Sequence, residues 1–172
     1  MPNQAGFTLL ELLVAIAIST ILLVLGVPSF LHMMAENQRD SYTANFYAAL
    51  TQARSEAITR NVPVVLCKSS DGALCTASGD YSAGWLVYAN LDGSVSGAEP
   101  DAADTLLDSH QRLGGDFTLT SSDLPVRVIY QPSGRAAVDG AFQLCPATTK
   151  ISGSSIEITS TGRPRIGTGQ CS

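Results

Sequence analysis

The sequence is poor in charged residues and in histidine, and these two shortages exclude several functions. Charged residues make up 15% of its 172 residues, against about 25% in an ordinary soluble domain, so part of the chain is expected to avoid water. His32 and His110 are the only histidines, which leaves little material for metal binding or acid–base catalysis. The net charge is −5, so a polyanion could be bound only by a local basic patch.

Apolar residues are concentrated near the start of the sequence, at 7–31, where Glu11 is the only charged residue. A run of this length can span, or nearly span, a bilayer, which takes about 20 residues. A secretory signal peptide is the alternative, but no Lys or Arg precedes the run, no small-x-small cleavage site closes it, and a carboxylate lies inside it. An acid at membrane depth costs about 2.5–3.5 kcal/mol, so Glu11 is expected to be paired or functional.

Residues 1–11, at the start of the apolar run, have the pattern of a known processing signal. A short polar leader ends at Gly6 and is followed by Phe7-Thr8-Leu9-Leu10-Glu11, which resembles the class III signal of type IV pilins and type II secretion pseudopilins. The resemblance implies cleavage after Gly6 by a prepilin peptidase and N-methylation of the new amino terminus at Phe7. It also implies that Glu11 pairs with the terminal amine of a neighbouring subunit during assembly. Phe7 and Glu11 are one helical turn apart, which agrees with that role.

The remaining chain predicts an α+β fold. Phe46, Leu50, Ala53 and Ala57 form one apolar stripe at helical spacing, and turn residues at 61–63 end the pattern, so we expect one helix from residue 7 to about 60. Short strand-like runs follow, separated by Gly, Asp, Ser and Pro. They are predicted at residues 62–67, 84–90, 105–112, 116–120, 126–131, 141–145 and 155–160, with an exposed loop at 92–104. Such a sequence predicts a long helix packed on an antiparallel β-sheet head.

Three phrases resemble the GspH/FimT branch of pilin-like proteins. They are ARSEAI at 53–58, GWLVY at 84–88 followed by Asp92-Gly93, and PSGR at 132–135. The resemblance implies a minor pilin or pseudopilin with a leader at 1–6, a transmembrane and assembly helix at 7–31, and an amphipathic helix with a β-rich head at 32–172. It further implies an inner-membrane anchor, a periplasmic head and incorporation into a filament with other pilins.

No residue pattern supports an enzyme. Asp108-Ser109-His110 has the residue types of a hydrolase triad, but triad members converge from separate elements. Gly167-Thr168-Gly169 lacks the helix and lysine that follow a phosphate loop. Asp101 and Asp104 lack the alternating ligands of an EF-hand. We therefore expect no catalysis, no metal and no cofactor.

The four cysteines allow three disulfide pairings, and none of their spacings is the C-x-x-C of a zinc site. We favour Cys67 with Cys75, which enclose a short turn, and Cys145 with Cys171, which would tie the tail to a strand. Each pair joins expected neighbours in the sheet. Buried free thiols are the alternative, although the oxidising compartment implied by the resemblance favours disulfides.

The C-terminal part of this acidic chain is locally basic. Residues 71–123 hold many acids and one base, Arg112, whereas residues 124–172 hold only two acids, Asp139 and Glu157. The bases of this second region are Arg127, Arg135, Lys150, Arg163 and Arg165. A local patch of this kind is what the binding of a polyanion requires.

One phrase within the basic region resembles a binding motif. Thr161-Gly162-Arg163-Pro164-Arg165 resembles the GRxR motif of FimT-type DNA-uptake pilins. The resemblance implies DNA binding by Arg163 and Arg165. Because Pro164 restricts the backbone, we expect the two arginines on a stiff loop, with Lys150 as a weaker third contact. With so few cations, the binding of double-stranded DNA should be weak and sequence-independent. The alternative is a purely structural secretion pseudopilin or pilus-tip priming subunit. In that case the arginines pair with Asp139 or Glu157, or pack against another pilin.

Overall fold

The structure, a computed structural model, describes residues 7–91, 100–101, 103–114, 117–121, 127–147 and 151–171. Within them the chain forms one α-helix, one short 3₁₀ helix at Tyr81–Ala83 and eight strands. The elements are α1 (Leu9–Arg60), β1 (Val64–Lys68), β2 (Gly84–Ala89), β3 (Thr105–Gln111), β4 (Phe117–Ser121), β5 (Arg127–Tyr130), β6 (Gly140–Pro146), β7 (Gly153–Ile158) and β8 (Pro164–Gly169). Most of the loop predicted at 92–104, including Asp92-Gly93, lies outside the described residues.

The predicted long helix is confirmed by α1, which continues through Pro28 without interruption. Arg60 lies in its last turn, where a cation complements the helix dipole. The helix ends just before Asn61, which has a left-handed φ of 56°, and Pro63 follows two residues later. These residues terminate the helix because neither continues an α-helical hydrogen-bond pattern.

The chain divides into two compact units, Met1–Asn37 and Gln38–Ser172. In the described part of the first unit the apolar side chains are exposed; Leu10 is 73% exposed and Leu25 is 70% exposed. The window of α1 near the amino terminus is long and apolar enough to cross a membrane by length and composition. Near the end of this unit Nδ1 of His32 lies 3.7 Å from Oε1 of Glu36 one turn later, a contact that is an ion pair when the imidazole is protonated.

The second unit contains two antiparallel sheets. The first has the strand order β3-β2-β1-β5, and the second has the order β4-β6-β7-β8. The strands predicted from the sequence correspond in position to β1 through β7, so the α+β fold is confirmed. The sequence did not predict the division into two sheets or the strand β8.

The core of the second unit is a cluster of aromatic rings around Phe46 of α1. Its ring contacts Tyr81, Trp85 of β2 and Phe142 of β6 edge-on, with centroid distances of 4.7 to 5.6 Å. Aromatic pairs favour this edge-to-face geometry. Because Trp85 belongs to the first sheet and Phe142 to the second, Phe46 joins α1 to both sheets. All members of the predicted stripe on α1 are buried: Phe46, Leu50, Ala53 and Ala57.

Two disulfides hold the strands of this unit. Cys67 of β1 is bonded to Cys75, and Cys145 of β6 is bonded to Cys171. These are the pairings that the spacing favoured. The second bridge fixes Cys171, two residues after the end of β8, to β6, so the basic C-terminal segment is constrained at its far end.

Candidate functional site

The C-terminal arginines lie where a tight turn enters β8. The Gly162 N–H donates to the Thr159 carbonyl oxygen at 2.7 Å, and Gly162 has a φ of +76°. Glycine adopts this left-handed conformation without the penalty that other residues incur. Arg163 follows the turn, Arg165 is the second residue of β8, and both side chains are exposed.

Pro164 begins β8, whereas the sequence predicted that both arginines would lie on a stiff loop. That prediction was wrong for Arg165, which is paired within a sheet. Proline is tolerated at the first residue of an edge strand because no ladder hydrogen bond is required from its nitrogen. The backbone at Arg165 is therefore held by β7 as well as by the turn.

A second turn of similar construction lies at residues 131–135. The Gly134 N–H donates to the Gln131 carbonyl oxygen at 2.8 Å, and the Gln131 N–H donates to the Arg135 carbonyl oxygen at 2.9 Å. Gly134 has a φ of +75°, and Arg135, the next residue, is exposed. Each turn thus consists of a left-handed glycine followed directly by an exposed arginine.

The two turns pack backbone against backbone. A Cβ atom on Gly162 would overlap the carbonyl oxygen of Gly134 and would lie 3.2 Å from the Ala136 nitrogen. Only glycine fits at position 162, because both the left-handed φ and the close approach exclude a side chain. The contact brings the residues after the two glycines, Arg135 and Arg163, into one neighbourhood. We call Arg135, Arg163 and Arg165 the arginine surface.

The end of α1 supports this arrangement from beneath. Nε of Arg54, which is half-buried, donates to the Gly134 carbonyl oxygen at 2.9 Å. A Cβ atom on Gly134 would lie 2.6 Å from Cδ1 of Ile58, one helical turn further along α1. The phrases at 53–58, 132–135 and 161–165, which carried the family resemblance separately, therefore meet at one place.

Glu157 is the carboxylate on β7 next to Arg165. It is the cross-strand partner of Arg165 in the β7–β8 register, and it is exposed. Ion pairs within the described residues include Arg39–Asp40 and Arg60–Glu56, and His32–Glu36 when the imidazole is protonated; none of them involves Arg163 or Arg165. In that part of the chain, then, no ion pair joins Arg163 or Arg165 to Asp139 or Glu157, as the structural alternative had expected.

The other residues predicted from the sequence lie elsewhere or outside the described part. Phe7 is 85% exposed, and the Glu11 N–H at the start of α1 donates to Oγ1 of Thr8 at 3.3 Å. Gly6, which precedes the expected cleavage point, and Lys150, the expected third contact, lie outside the described residues. The predicted roles of Gly6, Phe7, Glu11 and Lys150 therefore stay predictions.

Asp108, Ser109 and His110 do not form a triad. Oγ of Ser109 donates to the Gly72 carbonyl oxygen at 3.3 Å, and Nδ1 of His110 lies 2.7 Å from the Gln111 carbonyl oxygen. The His110 ring stacks on Trp85 with centroids 4.1 Å apart. These contacts make Ser109 and His110 part of the strand packing. Among the described residues no group of three His, Cys, Asp or Glu side chains could hold a metal ion.

The sequence singled out Arg163 and Arg165, and their role in binding stays a prediction; it did not indicate that Arg135 and Arg54 lie next to the same turn. The signal was present in the repeated Gly-Arg pair, at 134–135 and at 162–163. Nothing in the sequence indicated that these two pairs would come into contact.

Comparison with known proteins gives the chain relatives in both sequence and structure. Residues 43–162 match the family described as type II transport protein GspH, and residues 1–27 match the prokaryotic N-terminal methylation motif. No curated protein matches the chain significantly.

Solved structures with a similar fold include the type IV minor pilin FimU of Pseudomonas aeruginosa in space group P21. It aligns with a TM-score of 0.60 and 17% identity over 78% of this chain and 92% of that one. The minor pseudopilin EpsH from the type 2 secretion system of Vibrio cholerae aligns with a TM-score of 0.51 and 12% identity, over 76% of this chain and 97% of that one. At these identities the likeness establishes the fold.

Proposed function

The chain belongs to the type II transport protein GspH family, and we propose that it is a minor filament subunit that binds DNA through Arg163 and Arg165. It is a pilin-like protein, since the methylation motif and the apolar N-terminal helix fit a membrane-anchored pilin that is incorporated into filaments. The observation that carries the DNA-binding proposal is the exposure of two arginines, Arg163 directly after the Gly162 turn and Arg165 in β8, without an ion pair to any described residue.

The chemistry of these two side chains suits a phosphate backbone. A guanidinium presents a planar fork of donors that matches phosphate oxygens. Arg163 directly precedes β8 and Arg165 is the second residue of that strand, so their Cα atoms are no more than about 7 Å apart and the two side chains can reach neighbouring phosphates. Because the turn and β7 hold their backbone, little conformational freedom is lost on binding.

Contacts to phosphates carry no sequence information, so the binding is expected to be sequence-independent. The net charge of −5 opposes the approach of DNA, and few cations take part. The affinity is therefore expected to be weak and to fall steeply as salt is added. The role is one of binding and assembly, without catalysis.

The test of DNA binding uses the full chain in a non-ionic detergent, titrated with a fluorescent 30-base-pair duplex at low salt. We expect Arg163→Gln/Arg165→Gln to weaken binding by at least about tenfold, since hydrogen bonds to charged groups are the stronger class. Arg112→Gln is the matched control, because Arg112 is an exposed arginine just after β3. Equal binding by the double variant, or no binding by the unaltered chain at low salt, would contradict the proposal.

The amino terminus is proposed to be processed as the methylation motif implies. Cleavage after Gly6 by a prepilin peptidase would give Phe7 a free, then methylated, amine one turn from Glu11, and Glu11 would pair with the amine of a neighbouring subunit. The anchor would lie in the inner membrane with the head in the periplasm. Intact-mass analysis of membrane-extracted protein should show loss of residues 1–6 and gain of one methyl group. Retention of the leader would contradict this part of the proposal.

A purely structural subunit is the second candidate, and the position of Glu157 favours it. Glu157 is paired with Arg165 on the adjacent strand, so its carboxylate lowers the positive potential that DNA would meet. In that case Arg163→Gln/Arg165→Gln would leave DNA binding unchanged but reduce incorporation into filaments. Measuring both properties on the same variant separates the two candidates.

A further inference from the structure

Arg135 lies close to the proposed DNA contacts because of the glycine–glycine packing. Arg135 is bonded to Gly134, Arg163 is bonded to Gly162, and the position of a Cβ on Gly162 is 3.1 Å from the Gly134 carbonyl carbon. Covalent geometry then places the Cα atoms of the two arginines no more than about 11 Å apart. Two arginine side chains at this separation can meet the phosphates of a single duplex, which carries one negative charge per ~1.7 Å of axis.

We propose that Arg135 is a third phosphate contact of the same surface, so that duplex DNA is held by two turns rather than by the tail alone. This inference rests on the proposed function, since it concerns the same ligand and a residue beside the proposed contacts. Arg135 is exposed, and within the described part of the chain it forms no ion pair. A guanidinium is always charged, and no carboxylate among the described residues is paired with that of Arg135.

The position of Arg135 is fixed before any ligand arrives. The Arg54 bond to the Gly134 carbonyl oxygen ties the turn to α1, and the space at the Gly134 Cα is filled by Ile58. Two further backbone hydrogen bonds close the turn itself, from Gly134 to Gln131 and from Gln131 to Arg135. Because the backbone of the turn is already fixed, only the Arg135 side chain loses conformational freedom on binding, so the entropic cost of its contact with DNA is small.

The order of strands supplies a matched control for this residue. Arg135 follows β5, which forms one edge of the first sheet, whereas Arg112 follows β3, which forms the opposite edge. Both arginines are exposed, and their removal changes the net charge of the chain equally. A difference in DNA binding between the Arg135 and Arg112 variants is therefore due to the position of the arginine and not to the net charge of the chain.

The experiment measures the salt dependence of duplex binding by the full chain in non-ionic detergent. Each phosphate contact contributes about 0.9 to the slope of log K against log salt for duplex DNA. We expect Arg135→Gln to reduce the magnitude of this slope by about 0.9 and to weaken binding at low salt by about threefold or more. Arg135→Lys should keep the slope, because the charge is kept, and Arg112→Gln should leave both quantities unchanged. Near-UV circular dichroism of each variant checks that the fold is intact.

The outcomes separate this inference from the function on which it rests. If Arg163→Gln/Arg165→Gln weakens binding while Arg135→Gln leaves affinity and slope unchanged, the third contact is wrong and the proposed function stands. If Arg112→Gln lowers the slope as much as Arg135→Gln, the effect is one of net charge and the third contact is wrong. If the unaltered chain does not bind the duplex at low salt, both are overturned.

Discussion

Glu157 lies directly opposite Arg165 in the register of β7 and β8, and both side chains are exposed. No ion pair joins these two side chains, both of which the structure describes, but the Glu157 carboxylate repels a phosphate that approaches Arg165. Interactions between exposed charges are worth about 0.2–1 kcal/mol. We therefore expect Glu157→Gln to tighten duplex binding by about 1.4- to 5-fold at low salt, measured by fluorescence anisotropy.

Asp108→Asn provides the control for this prediction, because it removes one acid from β3 at the far edge of the other sheet. It should change the affinity less than Glu157→Gln does. If both variants tighten binding equally, the effect comes from net charge, and the cross-strand relationship to Arg165 has no part in it.

Gly162→Ala should destabilise the second unit and weaken DNA binding. The new methyl group would require a left-handed alanine and would overlap the Gly134 carbonyl oxygen. Gly79→Ala isolates the first of these effects, because Gly79 has a φ of +70° and no atom within 4 Å of its Cβ position. We expect Gly79→Ala to cost about 1–2 kcal/mol and Gly162→Ala to cost more. If Gly79→Ala and Gly162→Ala lower the thermal stability equally, the backbone contact between Gly134 and Gly162 accommodates the methyl group without cost, which would contradict the prediction.

Phe46→Ala should be among the most destabilising single changes in the second unit. Phe46 is fully buried and contacts rings from both sheets, and removing such a side chain typically costs about 3–5 kcal/mol. Phe46→Leu keeps most of the apolar volume and should cost clearly less. Thermal unfolding followed by near-UV circular dichroism measures both. A loss below about 1 kcal/mol for Phe46→Ala would contradict the assignment of Phe46 to the centre of the core.

Asp71 should make stability depend on pH. Hydrogen bonds from the Leu74 and Ala73 N–H groups, and from Oγ of Ser69, hold the pKa of Asp71 below its ordinary value of 3.8. A lowered pKa in the folded state means that the stabilisation is present above pH 3.8 and is lost as the pH falls below it. Asp71→Asn should therefore melt at a lower temperature than the unaltered chain at pH 6, and the gap should narrow below pH 3.8. A gap that is constant over this range would contradict the prediction.

The sequence predicted α1 and its buried face well, because apolar residues at helical spacing form one face of a helix, and that face is buried by packing against a sheet. It missed β8, in which Pro164, Gly167 and Gly169 are poor strand formers and Ile166 is the only large apolar residue. This strand forms because β7 offers it a full ladder of partners. Tertiary context of this kind outweighs local strand preference.

For the candidate site, the motif at 161–165 predicted Arg163 and Arg165. Their relation to Arg135 and Arg54 depends on the contact between Gly134 and Gly162. Those glycines are distant in the sequence, and their contact requires both turns and the end of α1 to be in place. Periodicity and spacing describe neighbours along the chain, so they could not indicate this contact.

Chemical modification of arginine, with and without DNA, locates the bound duplex most directly. The full chain in non-ionic detergent is treated with phenylglyoxal at low salt, and the modified residues are quantified by mass spectrometry of peptides. We predict that a duplex in excess slows the modification of Arg163 and Arg165 and leaves the rate at Arg112 unchanged. Equal rates at all three residues with and without DNA, or protection of Arg112 alone, would contradict the binding of DNA by the C-terminal arginines.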